Sequence, residues 1–273
     1  MRMESKELAK KIRLDAIKMV SHAHASHIGG ILSCADIIAV LYADIANINP
    51  DNIEDVNRDR IILSKGHNGV AIYAALGELG FFDRDWLKTY GDNGSCFSCH
   101  ISHKKVTGVE ISTGSLGQGV GVACGMALSA KLKDCPYHVY AIVGDGECNE
   151  GSVWEMAMLA TQYGLSNFTV VVDRNGMQAM GKCSDIMDTK SLAEKWQAFG
   201  WKTVEVENGH DHDSLREAFF AGHDGKPKVI IAHTVKGKGV SFMENELLWH
   251  YRDPQGDDFV KAIEEIENEK SCD

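Results

Sequence analysis

The sequence predicts an α/β fold, a largely parallel sheet covered by helices on both faces. Short runs rich in β-branched residues recur at YHVYAIV (137–143), FTVVVD (168–173), WKTVEVE (201–207) and KVIIAHT (228–234). Helix-like stretches at 150–163, 189–199 and 212–222 separate them. Apolar strands that alternate with helices belong to parallel sheets buried on both faces. Polar turns close these runs: Gly-Asp-Gly follows the first, and Asn175 follows the second. Open α/β sheets bind ligands at such carboxyl ends.

Taken in order, residues 5–24 place Leu8, Ile12, Ala16 and Met19 at helical spacing. His22 and His24 read as surface residues of that helix. SCADIIAVLYADI (33–45) predicts a second apolar helix with Ser33 as its N-cap. RIILSKGH (60–67) predicts a strand ending in a polar turn, and GVAIYAALGELG (69–80) a helix. The stretch 91–115 is rich in Gly, Ser, Cys and His and predicts a long loop, a feature that is often functional. SLGQGVGVACGMALSAKL (115–132) predicts a glycine-rich helix start running into a buried helix. The tail FVKAIEEIENEKSCD predicts a short acidic helix with a frayed end. With four prolines, no repeat and no low-complexity linker, residues 1–273 predict one domain.

Composition narrows the function. A net charge of −11 disfavours nucleic acid and anionic membranes as partners. The charged N-terminal segment has no signal-peptide pattern. No run reaches the roughly 18 apolar residues of a spanning helix. These features point to a cytoplasmic protein, in which the eight cysteines are reduced thiols.

VGDGECNEG (143–151) and VVVDRNGMQ (170–178) put oxygen ligands, Asp145 and Asn175, at two strand ends. That suits a hard divalent ion carrying a diphosphate. Gly144 and Gly146 permit tight turns and close approach of backbone N–H groups to phosphate. The helix beginning near Glu150 would aim its N-terminus at the same place. A dinucleotide fingerprint fails, because the third glycine of GxGxxG falls at Asn149. Gly117, Gly119 and Gly121 follow a loop rather than a strand, so they fail the same test.

Dense motifs now carry a resemblance over nearly the whole chain. They are ASHIGGILSCADIIAVLY (25–42), RIILSKGHNGVAIYAALGELG (60–80), STGSLGQGVGVACGMALSAKL (112–132), GDGECNEGSVWEMAMLA (144–160), VDRNGMQAMG (172–181), KWQAFGW (195–201) and HTVKGKGVSFMEN (233–245). The sequence resembles the N-terminal subunit of two-chain, split transketolases, which depend on thiamine diphosphate. The resemblance implies a single diphosphate-binding domain over 1–273. It assigns Asp145, Asn175 and the backbone carbonyl of Met177 to Mg²⁺, or Ca²⁺ or Mn²⁺ in its place. It assigns His67, Gly114, Leu116, Gly117, Gly144, Gly146 and His250 to the cofactor. His27, His67, His100 and His250 match active-site histidines. Glu150 and Glu155 match acidic residues that relay protons at a subunit interface, and Glu150 is counted with the catalytic set.

The implied reaction moves a two-carbon ketol unit from a ketose, as a phosphate, to an aldose phosphate. Imidazoles suit its proton transfers. The pyrimidine-binding and C-terminal domains of the family have no counterpart here. They are expected on a separate C-terminal subunit, in an α2β2 assembly, without which the chain should be inactive and bind cofactor poorly.

Some stretches depart from the family pattern. Cys99-His100-Ile101 stands where Gly-His-Pro is usual, which puts the donor-binding role of His100 in question. Cys96-Phe97-Ser98-Cys99-His100 formally matches a haem attachment site, and Cys96, Cys99, His100 and His103 could hold Zn²⁺. The plain reading is a variable substrate-facing loop. LLWHYRDP drifts around His250, with Arg252 either solvated or facing an anionic donor. Lys236 and Lys238 flank the cofactor cleft, though exposed lysines are the default expectation. Other readings stay open: a transketolase for a branched or sulfonated sugar, another thiamine enzyme, or a non-catalytic cofactor-binding partner.

Overall fold

The structure, a computed structural model, describes residues 3–188 and 190–268. Five strands form one parallel sheet: β1 (Arg60–Leu63), β2 (Val139–Gly144), β3 (Phe168–Arg174), β4 (Lys202–Val206) and β5 (Lys228–His233), in the order β1-β2-β3-β5-β4. The two-residue period of the strands divides their side chains between two cores. Ile61, Leu63, Ile142, Val171 and Ile230 join one. Ile62, Ala141, Val143, Val170, Val172 and Ile231 join the other.

The first core is closed by α1 (Ser5–Ala23), α2 (Ile28–Ser33), α3 (Ala35–Val40), α4 (Gly69–Glu78), α9 (His212–Phe220) and α10 (Gly256–Asn268). The second is closed by α5 (Gln118–Leu132), α6 (Gly151–Gln162) and α8 (Leu192–Ala198). Helices therefore cover both faces, as expected. A further short helix, α7 (Cys183–Ile186), was not foreseen.

Local chemistry sets the boundaries. Leu8, Ile12, Ala16 and Met19 are buried along α1, which ends at His24 in a left-handed conformation. His22 and His24 are exposed and pair with Asp92 and Asp253. The helix expected over 33–45 is divided differently, and Ser33 is not its N-cap. Ser33 ends α2, and its hydroxyl donates to the Gly30 carbonyl (3.0 Å) and to Asp173 (2.5 Å). The helix resumes as α3 and closes in a π-helical turn, Leu41–Ile45. The tail helix starts earlier than the sequence suggested, and 269–273 lie outside the described residues.

The long loop stays free of regular helix and strand from 91 to 117. It is nevertheless anchored. Buried Phe97 and Ile101 pin it, and the Ile101 N–H donates to the Gly66 carbonyl at 2.9 Å. The seven cysteines among the described residues are free thiols. No helix among those residues is long and apolar enough to cross a membrane.

Candidate active site

β2 and β3 run side by side and in register, Gly144 opposite Asp173, so the residues that follow them meet at one edge of the sheet. Asp145 accepts hydrogen bonds from the N–H of Gly146 (2.8 Å) and of Gly176 (2.7 Å). The second bond ties the two strand-end loops together. Gly176 adopts φ +75°, a left-handed turn that suits glycine. Asn175 Oδ1 accepts the Met177 N–H at 3.1 Å, and the Met177 carbonyl accepts no hydrogen bond among the described residues.

A cavity of about 310 Å³ opens there. Asp145, Asn175, Met177, Gly144, Gly146, Leu116 and Gly114 line it. His27, His67, His100 and His250 line it too, contributed by the turn before α2, the turn after β1, the long loop and the segment before α10. Their rings form one cluster. His27 lies 5.2 Å from His67, 5.8 Å from His100 and 4.9 Å from His250, centroid to centroid. The unusual Cys99-His100-Ile101 sequence therefore does not divert His100 from the cavity. His27 is held with φ 76° by a bond from its N–H to the His250 carbonyl (2.9 Å).

Burial, with neighbouring His100 and Lys236, lowers the His27 pKa to about 4. Burial and the Lys65 ammonium lower His67 to about 2. Burial and Lys236 lower His250 to about 4. At these values the three imidazoles are neutral at pH 7 and able to accept hydrogen bonds, though burial makes them weak bases.

Other expected residues sit elsewhere or have their backbone N–H groups occupied. Gly117 does not line the cavity; its N–H donates to Glu147 Oε1 (2.8 Å) at φ +77°. The Gly144 N–H goes to Glu147 Oε2 (3.1 Å) and the Gly146 N–H to Asp145, so these amides are already engaged. A 3-10 turn, Gly146–Asn149, is interposed before α6, and no residue of that helix lines the cavity. The expected helix N-terminus at the site is thus absent. Glu150 caps α6 from an exposed position outside the cavity, and Glu155 is exposed one turn on.

The four residues considered for Zn²⁺ diverge. His100 faces the cavity, whereas His103 Nδ1 is 2.8 Å from the Ser112 hydroxyl. Among the described residues no three His, Cys, Asp or Glu side chains are placed to hold a metal together. Arg252 is exposed. Lys238 is half-buried against Glu244 (3.5 Å).

The sequence did not show two features, the Lys65–Asp173 pair and Glu147, nor how deeply Lys236 is buried. Lys65, in SKGH, is buried in the cavity wall and forms an ion pair with Asp173, buried behind it. Asp173 also accepts from Ser33, Thr234 and Asn175. Burial raises the carboxyl, but Lys65 and these donors leave its pKa below the ordinary value. The signal was an aspartate ending the run VVVD, which demands a partner. Glu147 joins three segments by accepting from Ser64 (2.5 Å), Gly117 and Gly144. Lys236 is 2% exposed, not a surface lysine. Among the described residues its Nζ is in hydrogen-bond range of the Gln178 carbonyl (3.4 Å) and His250 Nδ1 (3.3 Å).

Asp145 and Lys236 are thus buried ionisable groups of the cavity that make no close ion pair, although Lys65 acts on Asp145, and Asp145 on Lys236, through the intervening space. Among the described residues Asp145, 6% exposed, has no cation in ion-pairing range, and Lys236 has no anion. Burial and the nearby Asp173 push the Asp145 carboxyl up, and burial pushes Lys236 down. A carboxylate, an amide oxygen and a free carbonyl beside an unpaired ammonium fit a hard cation bound together with an anion.

Parallel strands carrying strand-end ligands and a histidine cluster define a cofactor-binding α/β domain. The chain belongs to the transketolase family: the model described as transketolase, thiamine diphosphate binding domain, matches residues 4–266. It is 39% identical over 268 residues to an apulose-4-phosphate transketolase subunit of Phocaeicola vulgatus, covering 97% of this chain and 95% of that one. It is 37% identical over 263 residues to the 6-deoxy-6-sulfo-D-fructose transketolase subunit SqwG of a Clostridium species, covering 96% and 95%. The transketolase structure from Campylobacter jejuni superposes with a TM-score of 0.89 at 30% identity, over 98% of this chain and 43% of that chain. The chain thus spans less than half of that solved transketolase while matching free-standing subunits nearly end to end. The resemblance to a split-transketolase subunit is borne out.

Proposed function

We propose that this chain is the diphosphate-binding subunit of a two-chain transketolase, which moves a two-carbon ketol unit from a ketose to an aldose. The observation that carries the reading is a buried carboxyl and a buried lysine, Asp145 and Lys236, that line one cavity with four histidines and make no close ion pair among the described residues. Asp145, the Asn175 amide oxygen and the Met177 carbonyl would hold Mg²⁺, or Ca²⁺ or Mn²⁺. Lys236 would donate to the diphosphate. Thiamine diphosphate, when bound, supplies the carbanion and electron sink of ketol transfer.

The chain's own residues supply positioning and proton transfer. His27, His67 and His250, neutral at pH 7, can accept hydrogen bonds from sugar hydroxyls and orient them for proton transfer. Exposed His100 at the rim can bond a donor hydroxyl. The Lys65–Asp173 pair holds the cavity wall rigid.

The remaining parts of the site would come from a partner subunit carrying the pyrimidine-binding and C-terminal domains, in an α2β2 assembly. Exposed Glu150 and Glu155 are available to such an interface. A cytoplasmic setting and sugar phosphate substrates complete the reading. The relatives named for apulose-4-phosphate and sulfofructose favour a second possibility within it, a transketolase for a branched or sulfonated sugar.

The test is a native pull-down from the source cells with mass spectrometry, followed by a ketol-transfer assay on the isolated assembly. A near-equimolar chain with a pyrimidine-binding domain, and Mg²⁺-dependent transfer, are expected. A chain that comes down alone and inactive contradicts the proposal.

A further inference from the structure

Lys236 needs a fixed backbone to hold an unpaired charge in the cavity, and part of that support lies outside the site. The N–H of Val235 donates to His210 Nε2 at 2.8 Å. His210 Nδ1 lies 2.6 Å from Asp36 Oδ2. The His210 side chain is 9% exposed. Asp36 is buried and is also held by the Arg13 guanidinium and by His212 Nε2 (3.0 Å). Arg13 and its neighbours keep the Asp36 carboxyl well below its ordinary pKa despite burial, so it is an anion here.

These contacts fix the chemistry of His210. A nitrogen that accepts a backbone N–H carries no proton, so Nε2 is bare and Nδ1–H donates to Asp36. The result is a chain from Asp36 through His210 to Val235, ending next to Lys236. The same turn is tied by the Gly237 N–H to the Gly29 carbonyl (2.8 Å) and by the Asn245 N–H to the Lys236 carbonyl (2.8 Å). His210 is the side chain among these ties, so it is the one that substitution can remove.

We propose that His210 is a positioning residue for Lys236, setting the backbone that presents the ammonium to the bound diphosphate; this rests on the reading of the cavity as a thiamine diphosphate site. His212 supplies the internal control. It bonds the same Asp36 and the Ser5 hydroxyl (2.9 Å) but does not reach the Val235 turn. A purely structural role for the Asp36 cluster makes the two histidines equivalent. A positioning role separates them.

The experiment measures thiamine diphosphate binding in saturating Mg²⁺ by titration calorimetry on the assembled protein. His210→Phe is expected to weaken binding about tenfold, the size of one lost buried hydrogen bond, with kcat at saturating cofactor unchanged. His210→Gln, whose amide can accept from Val235 and donate to Asp36, is expected to recover most of it. His212→Phe is expected to leave affinity within about twofold while lowering thermal stability. Equal weakening by His210→Phe and His212→Phe, or no weakening by either, overturns the proposal. Wild-type protein that does not bind thiamine diphosphate overturns the underlying reading of the cavity, and is seen before any variant is made. Should His210→Phe fail to fold, nitrogen NMR of the wild-type imidazole decides. A bare Nε2 supports the assignment, and a protonated Nε2 refutes it.

Discussion

Asp173→Ala is the perturbation whose magnitude follows most directly from the structure. Asp173 is wholly buried, and its carboxylate accepts from Lys65, Ser33, Thr234 and Asn175. The substitution strands the Lys65 ammonium, itself 2% exposed. Breaking a buried ion pair on one side costs about 3–5 kcal/mol. Each neutral donor left without an acceptor costs about 1–3 kcal/mol more, although the adjoining cavity admits water that rehydrates part of the cluster. A net loss of about 4 kcal/mol is expected, a large part of the ~5–15 kcal/mol typical of a domain. Urea denaturation of the purified chain at pH 7 measures it as a lowered midpoint at constant slope.

The double variant Lys65→Met, Asp173→Leu removes both charges. It is expected to be about 2 kcal/mol more stable than Asp173→Ala, because an apolar pair replaces an unpaired buried ion. A loss below about 1 kcal/mol for Asp173→Ala would refute the reasoning, as would a double variant no more stable than the single one.

Other outcomes follow from the same geometry. Lys236→Met is expected to leave the cofactor-free chain as stable as wild type or about 1 kcal/mol more so in urea, since it removes a buried unpaired cation, while thiamine diphosphate binding falls. The histidine cluster gives a pH dependence. His27, His67 and His250 have folded pKa values below the unfolded value near 6.5, so the unfolded chain binds more protons between about pH 4 and 6.5. Stability should therefore fall as the pH drops through that window, and His67→Asn should flatten the slope of melting temperature against pH. Glu147→Gln places an amide N–H₂ against backbone donors and is expected to cost about 1–3 kcal/mol in urea denaturation.

The layered fold was legible because parallel strands buried on both faces must be largely apolar, and VYAIV and VVV are. Asp145, Asn175 and the histidines were legible because polar groups at strand ends and glycine-flanked turns have few structural reasons to be there. What stayed hidden depended on pairing across the chain. Lys65 and Asp173 stand far apart in sequence, and nothing local to either names the other. Lys236 reads as flanking the cleft, but its depth was not legible, because exposed lysines are the default and the turn that His210 and Gly29 hold is assembled from distant segments. The engagement of the glycine amides was hidden for a related reason. Their sequence spacing suited phosphate, but Glu147 and Asp145 occupy the same N–H groups. Ser33 looked like a helix cap because its hydroxyl's partner, Asp173, comes from a distant strand.

The central claim is that Asp145 and its neighbours form a cation site coupled to an anionic cofactor. The most direct measurement is the melting temperature of the assembled protein with Mg²⁺, with thiamine diphosphate, and with both, for wild type and Asp145→Ala. Ligand at a hundredfold excess over its Kd stabilises the folded state by about 2.7 kcal/mol. The expected result is a clear rise for wild type only when both are present, and no rise for Asp145→Ala. A rise of equal size in the variant, or a wild-type rise with thiamine diphosphate that persists in a chelator, would contradict the assignment.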